Sequence, residues 1–351
     1  MRLRTGLSVL WRGQGESQIG VDPRCAVVLE DLSPGEQRVL DHLDRGGYEP
    51  TEADLVRVGR TAGVRAGRVR ELIRLLERSG VLDPVADRAT STPVPPEDAY
   101  WSRLLPDGDG PALLGRRSEA VVTVVGLDHV GLRIASHLAE AGIGTVLLED
   151  DGPVDPFDVG PYHPADVGDR RRVRAEARLR STFDRLRTEA PPGRRPDMVV
   201  VVCSRVADPV LLLPLVRDDV AHVPVVVGEV DVVVGPLIIP GDGPCTRCMD
   251  LHRTDADPAW PAVATQLRCS PAAVATSQLG QMGAALTAHQ VLAAIDGREL
   301  VADRASLEVS ALSPLPVLRP WAVHPDCGCA GVSLDEPTPE KPVAGRAQEP
   351  A

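Results

Sequence analysis

The sequence is poor in aromatic side chains and in positive charge. Aromatic residues make up 3% of the 351 residues, and the formal net charge is -12 at pH 7. Proteins that bind single-stranded nucleic acid stack the bases on aromatic side chains, so this class of function is not expected. A chain with this negative charge also repels a phosphate backbone, which argues against nucleic acid as the main partner.

Long apolar runs are missing as well. No stretch approaches the roughly 20 apolar residues of a membrane helix, and the beginning of the sequence lacks a signal-like apolar core. We therefore expect a cytoplasmic protein with no membrane partner. The hydrophobic content of 43% is ample for buried cores, and the length predicts two or three domains.

The central part of the sequence has the pattern of a nucleotide-binding βαβ unit. Residues 121–125 are a β-branched apolar run that ends at Gly126, as in a buried parallel strand. Apolar residues then recur at helical spacing as far as a glycine-rich stop at 141–144. A second strand is predicted at 145–148, and Asp150 follows it. This order of elements is typical of a Rossmann-type nucleotide site.

The glycine loop of this unit departs from the dinucleotide-binding pattern. Its sequence at residues 126–131 is GLDHVG, with Asp128 where a second glycine would let the backbone approach phosphates. A carboxylate adds bulk and negative charge at that point. A structural unit without nucleotide is the favoured interpretation, because a lone and imperfect fingerprint is weak evidence. The alternative is a working phosphate site, whose nucleotide-binding residues would be Gly126, Asp128, Gly131 and Asp150.

Four of the seven cysteines form two close pairs. Cys245 and Cys248 make a CxxC sequence, and Cys327 and Cys329 make a CxC sequence far downstream. Two such pairs predict a structural zinc ion held by four thiolates, with no open position for chemistry. A redox CxxC is the alternative, but it would leave the second pair unexplained. His324 would replace one thiolate or shape the turn.

The other three cysteines are predicted to be core thiols. They are Cys25, Cys203 and Cys269, and small apolar behaviour is usual for a free cysteine. Cys269 lies among polar and small residues, so it is the one that is also a candidate nucleophile.

Residues 1–84 have the element order of a small winged-helix-like α+β domain. Strands are predicted at 7–11, 17–21 and 25–29. Helices are predicted to begin after Ser33 and Thr51, each with an acidic residue three positions on, and a third helix spans 65–79. Winged helices often bind DNA, and a ligand-sensing transcription factor remains one alternative. The arginines of the third helix that favour it are Arg65, Arg68, Arg70 and Arg74.

This domain resembles the PqqD-like leader-peptide recognition domain of peptide-modifying systems. The resemblance lies in the element order and in QIG at 18–20, DPR at 22–24, VL at 28–29 and LS at 32–33. It implies that a peptide adds as a strand beside the third strand and packs on the third helix. The peptide-binding residues implied are Ala26, Val27, Val28, Leu29, Arg68, Leu72 and Leu75. For any single leucine of this set, an ordinary core position is the favoured interpretation.

The rest of the chain divides into three further parts. Residues 85–118 are rich in proline and are predicted to be a linker. Residues 119–331 are predicted to form the Rossmann-like domain with the four cysteines. Residues 332–351 have the composition of a disordered tail.

Residues 121–329 resemble the ThiF/MoeB family, which has the fold of ubiquitin-activating enzymes. The matching pieces are VVTVVG, LAEAGIGTVLLED and GPLIIPGDGPCTRC. The family adenylates a protein carboxyl terminus with ATP and magnesium, and the resemblance implies a homodimer. Several positions depart from it: Asp128 and His129 replace loop glycines, Pro161 replaces a triphosphate-binding arginine, and Arg205 replaces a magnesium-binding aspartate. These departures make ATP binding doubtful.

The combination of both domains resembles the leader-peptide-binding partners of YcaO cyclodehydratases in thiazole/oxazole-modified peptide (TOMM) biosynthesis, a bacteriocin-like class of ribosomal peptide (RiPP). DLHRTDADPAWP at 250–261 is also typical of that group. The resemblance implies a non-catalytic protein that binds the precursor's leader and presents it to the YcaO enzyme. The alternative is an active adenylyltransferase that uses ATP to activate a carrier-protein carboxyl terminus.

Overall fold

The computed structural model describes residues 1–44, 49–83, 96–105 and 107–329. The chain separates into two compact units. The first comprises Met1–Ala120 with Glu140–Gly144, and the second comprises Val121–Ala139 and the described residues from Thr145 onward. Both units mix helices and strands, so the α/β fold class predicted from the sequence is confirmed.

The first unit contains a three-stranded antiparallel sheet. Its strands are β1 (Val9–Gly13), β2 (Glu16–Ile19) and β3 (Val27–Leu29), in the order β1-β2-β3. The three predicted strands are therefore present, with β1 shifted by two residues and with β2 and β3 shorter than predicted. Within the described residues β3 pairs with β2 on one side and lies at an edge of the sheet on the other.

Three helices pack beside this sheet, and two of them begin as the sequence predicts. They are α1 (Pro34–Leu43), α2 (Glu52–Thr61) and α3 (Ala66–Arg78). The side chains of Ser33 and Glu36 form one capping box, and those of Thr51 and Asp54 form another. Each box satisfies backbone N–H groups that a helix start leaves without partners. The apolar face of α3 is buried, with Val69, Leu72, Ile73 and Leu76 at most 4% exposed.

Two further helices lie in the stretch predicted to be a linker. They are α4 (Pro96–Leu104) and α5 (Gly110–Glu119). Prolines that argue against a helix interior are tolerated at its beginning, where Pro96 and Pro111 lie. Asp109 caps α5 through the N–H of Ala112. The domain boundaries at residues 84 and 118 stay a prediction.

The helix α5 is anchored by a buried arginine. Arg117 is 1% exposed and donates hydrogen bonds to Glu97 and to the carbonyl of Ala141, both at 2.9 Å. Its guanidinium also lies 5.3 Å from the ring centre of Trp101. A buried charge requires such partners, so these contacts explain why the segment is ordered rather than a free linker.

The second unit is built on a seven-stranded sheet in the order β10-β9-β8-β7-β6-β4-β5. Strands β5, β4, β6 and β7 run parallel to one another, and the pairs β7–β8, β8–β9 and β9–β10 are antiparallel. The elements in chain order are β4 (Val121–Val125), α6 (His129–Glu140), β5 (Thr145–Glu149), α7 (Arg171–Thr182), β6 (Met198–Ser204), α8 (Pro209–Arg217), β7 (His222–Val227), β8 (Asp231–Val234), α9 (Thr246–Ala256), α10 (Trp260–Cys269), α11 (Ser277–Asp296), β9 (Ala305–Ser310) and β10 (Ser313–Pro320).

The structure differs from the sequence-based expectation at several of these elements. The apolar sequence at 230–239 predicts a single strand, but β8 ends at Val234, because Gly235 takes a left-handed φ of 84°. The arginine-rich sequence at 169–188 predicts one helix, and α7 covers only Arg171–Thr182 of it. Strand β10 was not predicted because it contains prolines, which are tolerated here since β10 is an edge strand. Among the described helices, none has both the length and the apolar character to cross a membrane.

Two glycines of α5 test whether α4 and α5 pack as described. A Cβ at Gly115 meets no atom within 4 Å, so Gly115→Ala should stabilise the protein by about 0.5–1 kcal/mol through helix propensity. A Cβ at Gly110 would lie 2.7 Å from the carbonyl oxygen of Asp98, so Gly110→Ala should destabilise it by roughly 1–3 kcal/mol. Urea unfolding measures both, and equal effects of the two variants would contradict this packing.

Candidate functional site

Two glycines of the loop between β4 and α6 are required by backbone packing alone. Gly126 has a φ of 84°, and a Cβ there would lie 2.6 Å from the carbonyl oxygen of Val202. A Cβ at Gly131 would collide with the carbonyl oxygen of Gly126. Both glycines therefore allow the close approach of α6 to the sheet, and their presence does not by itself indicate a nucleotide site.

The third position of the pattern is filled by a carboxylate that caps the helix. Oδ1 of Asp128 accepts hydrogen bonds from the N–H groups of Val130 at 2.8 Å and Gly131 at 2.9 Å. Unpaired amides at the beginning of a helix are the groups that bind a phosphate in nucleotide sites. Here an acidic side chain of the loop itself already occupies them.

Two more amides of the loop donate to carboxylates. The N–H of Leu127 donates to Asp150 at 2.7 Å, and the N–H of His129 donates to Asp158 at 3.0 Å. Asp158 is 2% exposed. Asp150 is thus placed beside the loop as the sequence predicts, but its oxygens accept from this backbone and from the N–H of Gly152 at 2.7 Å.

A half-buried arginine and a buried tyrosine hold these carboxylates in place. Arg171 lies 2.8 Å from Asp158 and 3.5 Å from Asp150. Burial lowers the pKa of Arg171, but the two carboxylates outweigh it and raise this pKa above its ordinary value. The hydroxyl of Tyr162 donates to the carbonyl of Leu127 at 2.7 Å, and burial raises the pKa of this phenol. The loop is therefore held in place within the chain, with the amides of Leu127, His129, Val130 and Gly131 all paired with carboxylates.

The position expected to hold a magnesium-binding aspartate carries a paired cation. Arg205 follows β6 with a φ of 66° and donates to the carbonyl of Pro271 and to Glu229, both at 2.7 Å. Its guanidinium would repel a divalent cation. Four amides of the loop are thus paired with carboxylates, and the cation at this position is paired with Glu229.

The four predicted cysteine ligands come together. Cys245 precedes α9 and Cys248 lies in its first turn. The Sγ–Sγ distances are 3.9 Å from Cys245 to Cys248, 3.5 Å from Cys245 to Cys327 and 3.3 Å from Cys248 to Cys329. A tetrahedral ion with Zn–S bonds of about 2.3 Å needs sulfurs about 3.8 Å apart. The four thiols are unbridged, and they could hold a metal ion such as zinc.

His324 braces the second cysteine pair. It is 4% exposed, its Nδ1 accepts from the N–H of Asp326 at 3.1 Å, and its Nε2 therefore donates to Asp255 at 2.9 Å. Both ring nitrogens are engaged, which supports the interpretation that this histidine shapes the turn. His252, Asp255 and His324 also lie close enough to hold an ion. However, both nitrogens of His324 are engaged, and Nε2 of His252 donates to the carbonyl of Ala322 at 3.0 Å.

The remaining cysteines lie apart from this cluster. Cys203 is 6% exposed, and burial raises the pKa of its thiol to about 11, which makes it a poor nucleophile. Cys25 is half-buried, and Cys269 is exposed at the end of α10. The prediction of a core thiol is therefore confirmed for Cys203 and wrong for Cys269.

The residues predicted to bind a peptide fall into exposed and buried groups. Val28 on β3 and Leu75 on α3 are 42% and 45% exposed, whereas Leu72 is 3% exposed and packs in the core. Arg68 donates to Glu36 at 2.6 Å and to Glu71 at 3.4 Å. Ala26, Val27 and Leu29 lie on or beside the edge strand. Their role in peptide binding stays a prediction.

Sequence reasoning missed a cluster on the second unit. The guanidinium of Arg253 lies between the rings of Trp260 and Trp321, 5.1 Å and 5.4 Å from their centres. Asp250 accepts from Trp260 at 3.1 Å and from Arg253 at 3.3 Å. Arg253, Trp260 and Trp321 line a cavity of ≈ 340 Å³ that Arg205 also lines. The spacing in DLHRTDADPAWP was the available signal.

The fold and the site define an α/β chain in which carboxylates of the chain itself occupy the amides of the loop between β4 and α6. No protein-family model matches the sequence, and no curated protein matches it either. The fold, in contrast, matches solved structures over nearly the whole chain.

Three solved structures illustrate the match. Escherichia coli MccB with AMPCPP and MccA has a TM-score of 0.68 and 14% sequence identity, covering 94% of this chain and 99% of that chain. The microcin C7 biosynthetic enzyme MccB in complex with N-formylated MccA has a TM-score of 0.65, with the same identity and coverage. PaaA has a TM-score of 0.67 and 15% identity, covering 90% of this chain and 99% of that chain. At this identity the match shows the fold alone.

Metal analysis tests the cysteine cluster. We expect one zinc ion per chain in the purified protein, and Cys248→Ser should remove it and lower the stability of the second unit, because the ion joins distant segments. Cys269→Ser is the matched control and should leave zinc content and thermal unfolding unchanged. Absence of zinc from the wild-type protein would refute the prediction.

Proposed function

We propose that this protein is a non-catalytic, ThiF-like partner that binds a ribosomal precursor peptide through its leader and presents it to a YcaO-type cyclodehydratase. The observation that carries the proposal is the occupation of the loop amides by Asp128, Asp150 and Asp158. The alternative function, adenylation, would need those amides free for ATP.

The electrostatics of the loop disfavour a triphosphate. Adenylyl transfer depends on groups that hold the phosphates and neutralise charge, and loss of one such donor costs about 10²–10³ in rate. Three carboxylates accept from the loop amides here, and the half-buried Arg171 pairs with two of them. Removing Asp128 alone would still leave Asp150 and Asp158 on the remaining amides, so several changes separate this loop from an ATP site.

The peptide part of the proposal is supported by the first unit. The edge of β3 offers backbone groups for an added strand, and Val28 and Leu75 offer exposed apolar surface. Among the structures with the same fold, MccB was solved in complex with MccA. The YcaO partner, the homodimer, the structural role of zinc and the cytoplasmic location come from the sequence and its resemblance, and they are part of the proposal.

An adenylyltransferase is the second candidate. Asp150 lies beside the loop, both packing glycines are present, and MccB has been solved with ATP. The two functions differ in a direct assay, because only the second requires ATP turnover by the isolated chain.

Nucleotide assays should be negative for the wild-type protein. We expect no ATP–pyrophosphate exchange with any precursor peptide and no heat of ATP binding in the presence of magnesium, because the carboxylates block the loop. Arg171→Ala is expected to be negative as well, since it removes a cation and leaves the carboxylates. Exchange above background that Gly126→Val abolishes would favour the adenylyltransferase.

Peptide binding should depend on the edge strand. For precursor peptides encoded beside the gene, Val28→Lys should weaken binding at least tenfold in fluorescence anisotropy, since a charge replaces exposed apolar surface. Val173→Lys is the matched control, because Val173 is 58% exposed on α7 of the other unit. If no such peptide binds, or if both variants bind like wild type, the proposal fails.

A further inference from the structure

The first unit has a cleft that the proposed peptide strand does not occupy. It has a volume of ≈ 400 Å³, lies between α4 and the loops at one end of the three-stranded sheet, and is mostly apolar. This volume is in the range of small-ligand sites, about 300–1,000 Å³. Its apolar lining includes Leu7, Leu10, Val21, Tyr100 and Leu104.

Much of this apolar lining is open to solvent. Leu10 is 39% exposed, Val21 73% and Tyr100 48%. Large apolar side chains gathered around a concave site, rather than scattered singly, are typical of surfaces that bind a partner. The cleft therefore has the shape and polarity to take one apolar side chain.

One cation of the cleft lacks an anion. Arg103 of α4 is half-buried and packs over Gly6, and it makes no hydrogen bond or ion pair to any residue within the described ranges. A guanidinium held away from water gains from a carboxylate, which it can bind through two parallel hydrogen bonds. Arg103 is thus suited to an acidic ligand.

The other charges of the cleft already neutralise each other. Arg24 donates to Asp22 at 2.9 Å and 2.7 Å, and this contact lowers the pKa of the Asp22 carboxyl. Among the described lining residues, the positive charge of Arg103 is therefore the one that no carboxylate balances.

The cleft is continuous with the edge strand. The turn at residues 22–25 forms part of its wall, and β3 begins at Val27, directly after this turn. An added strand advances about 3.3 Å per residue. A peptide that pairs with β3 and continues past Val27 therefore reaches the cleft within a few residues.

We propose that this cleft is a second anchor for the leader of the precursor peptide. It takes an apolar side chain of the leader, while Arg103 binds the carboxylate of a neighbouring Asp or Glu. This inference rests on the proposed function and adds to it the class of sequence that the leader must carry: an acidic residue next to a large apolar one.

The chemistry of the cleft is tested with two small probes, N-acetyl-Leu-Glu-amide and N-acetyl-Leu-Gln-amide. In saturation-transfer NMR at millimolar concentration, the Glu probe should receive several-fold more saturation on its leucine methyl groups than the Gln probe. Arg103→Gln should remove that difference and Arg103→Lys should preserve part of it. Equal signals from both probes with the wild-type protein would overturn the inference.

The occupant is tested with the precursor peptides. Arg103→Gln should weaken their binding about tenfold, with a smaller effect at high salt, because the contact is electrostatic. Arg103→Lys should recover part of the affinity. Arg38→Gln, a change at an exposed arginine of α1, is the control and should have no effect.

The two proposals fail in different ways. If Val28→Lys weakens precursor binding but Arg103→Gln does not, the second anchor is wrong and the proposed function stands. The second anchor is also wrong if the Glu probe binds through Arg103 but Arg103→Gln leaves the affinity for the precursor unchanged. The cleft would then bind another partner. If no precursor binds at all, the proposed function and the leader as occupant are both refuted.

Discussion

The structure of the second unit depends on hydrogen bonds between loop amides and acidic side chains. The amides of Leu127, His129, Val130 and Gly131 all donate to carboxylates of the same chain. In a nucleotide-binding loop these donors are left for phosphate. Once they are satisfied internally, the helix start is stable without a ligand, and the unit can serve as a scaffold.

Because the loop amides are paired with carboxylates, the glycine pattern is informative about the fold but not about nucleotide binding. Gly126 and Gly131 are required because α6 approaches the sheet too closely for a Cβ. The residue at position 128 decides whether the first amides of α6 are free to bind a ligand. The two glycines of such a pattern therefore indicate close packing of the helix on the sheet, and the residue between them indicates whether phosphate can bind.

Much of this could be predicted from the sequence. Local signals sufficed for the capped helices α1 and α2, the apolar face of α3 and the parallel strands β4 and β5, because each depends on neighbouring residues. The four cysteines were also predictable, since thiolates at CxxC and CxC spacing have few other uses. The match to the MccB and PaaA folds confirms the fold class.

Other features depend on distant contacts and could not be predicted. Helix α5 is anchored by Arg117, which donates to the carbonyl of Ala141, 24 residues further along the chain. Strand β10 forms because this proline-containing segment pairs with β9. The pairing of Asp158 with the amide of His129 spans a loop that has no sequence signature. Arg103, which has no ionic partner among the described residues, lies in the cleft because α4 packs beside Gly6, and this long-range contact has no local sequence signal.

The most direct measurement is a crystal structure of the protein grown with ATP and magnesium. We expect Oδ1 of Asp128 to keep its hydrogen bonds to the amides of Val130 and Gly131, with no phosphate within reach of the loop. A well-ordered triphosphate bound to those amides, with the Asp128 side chain displaced, would contradict the claim that the loop is closed to nucleotide.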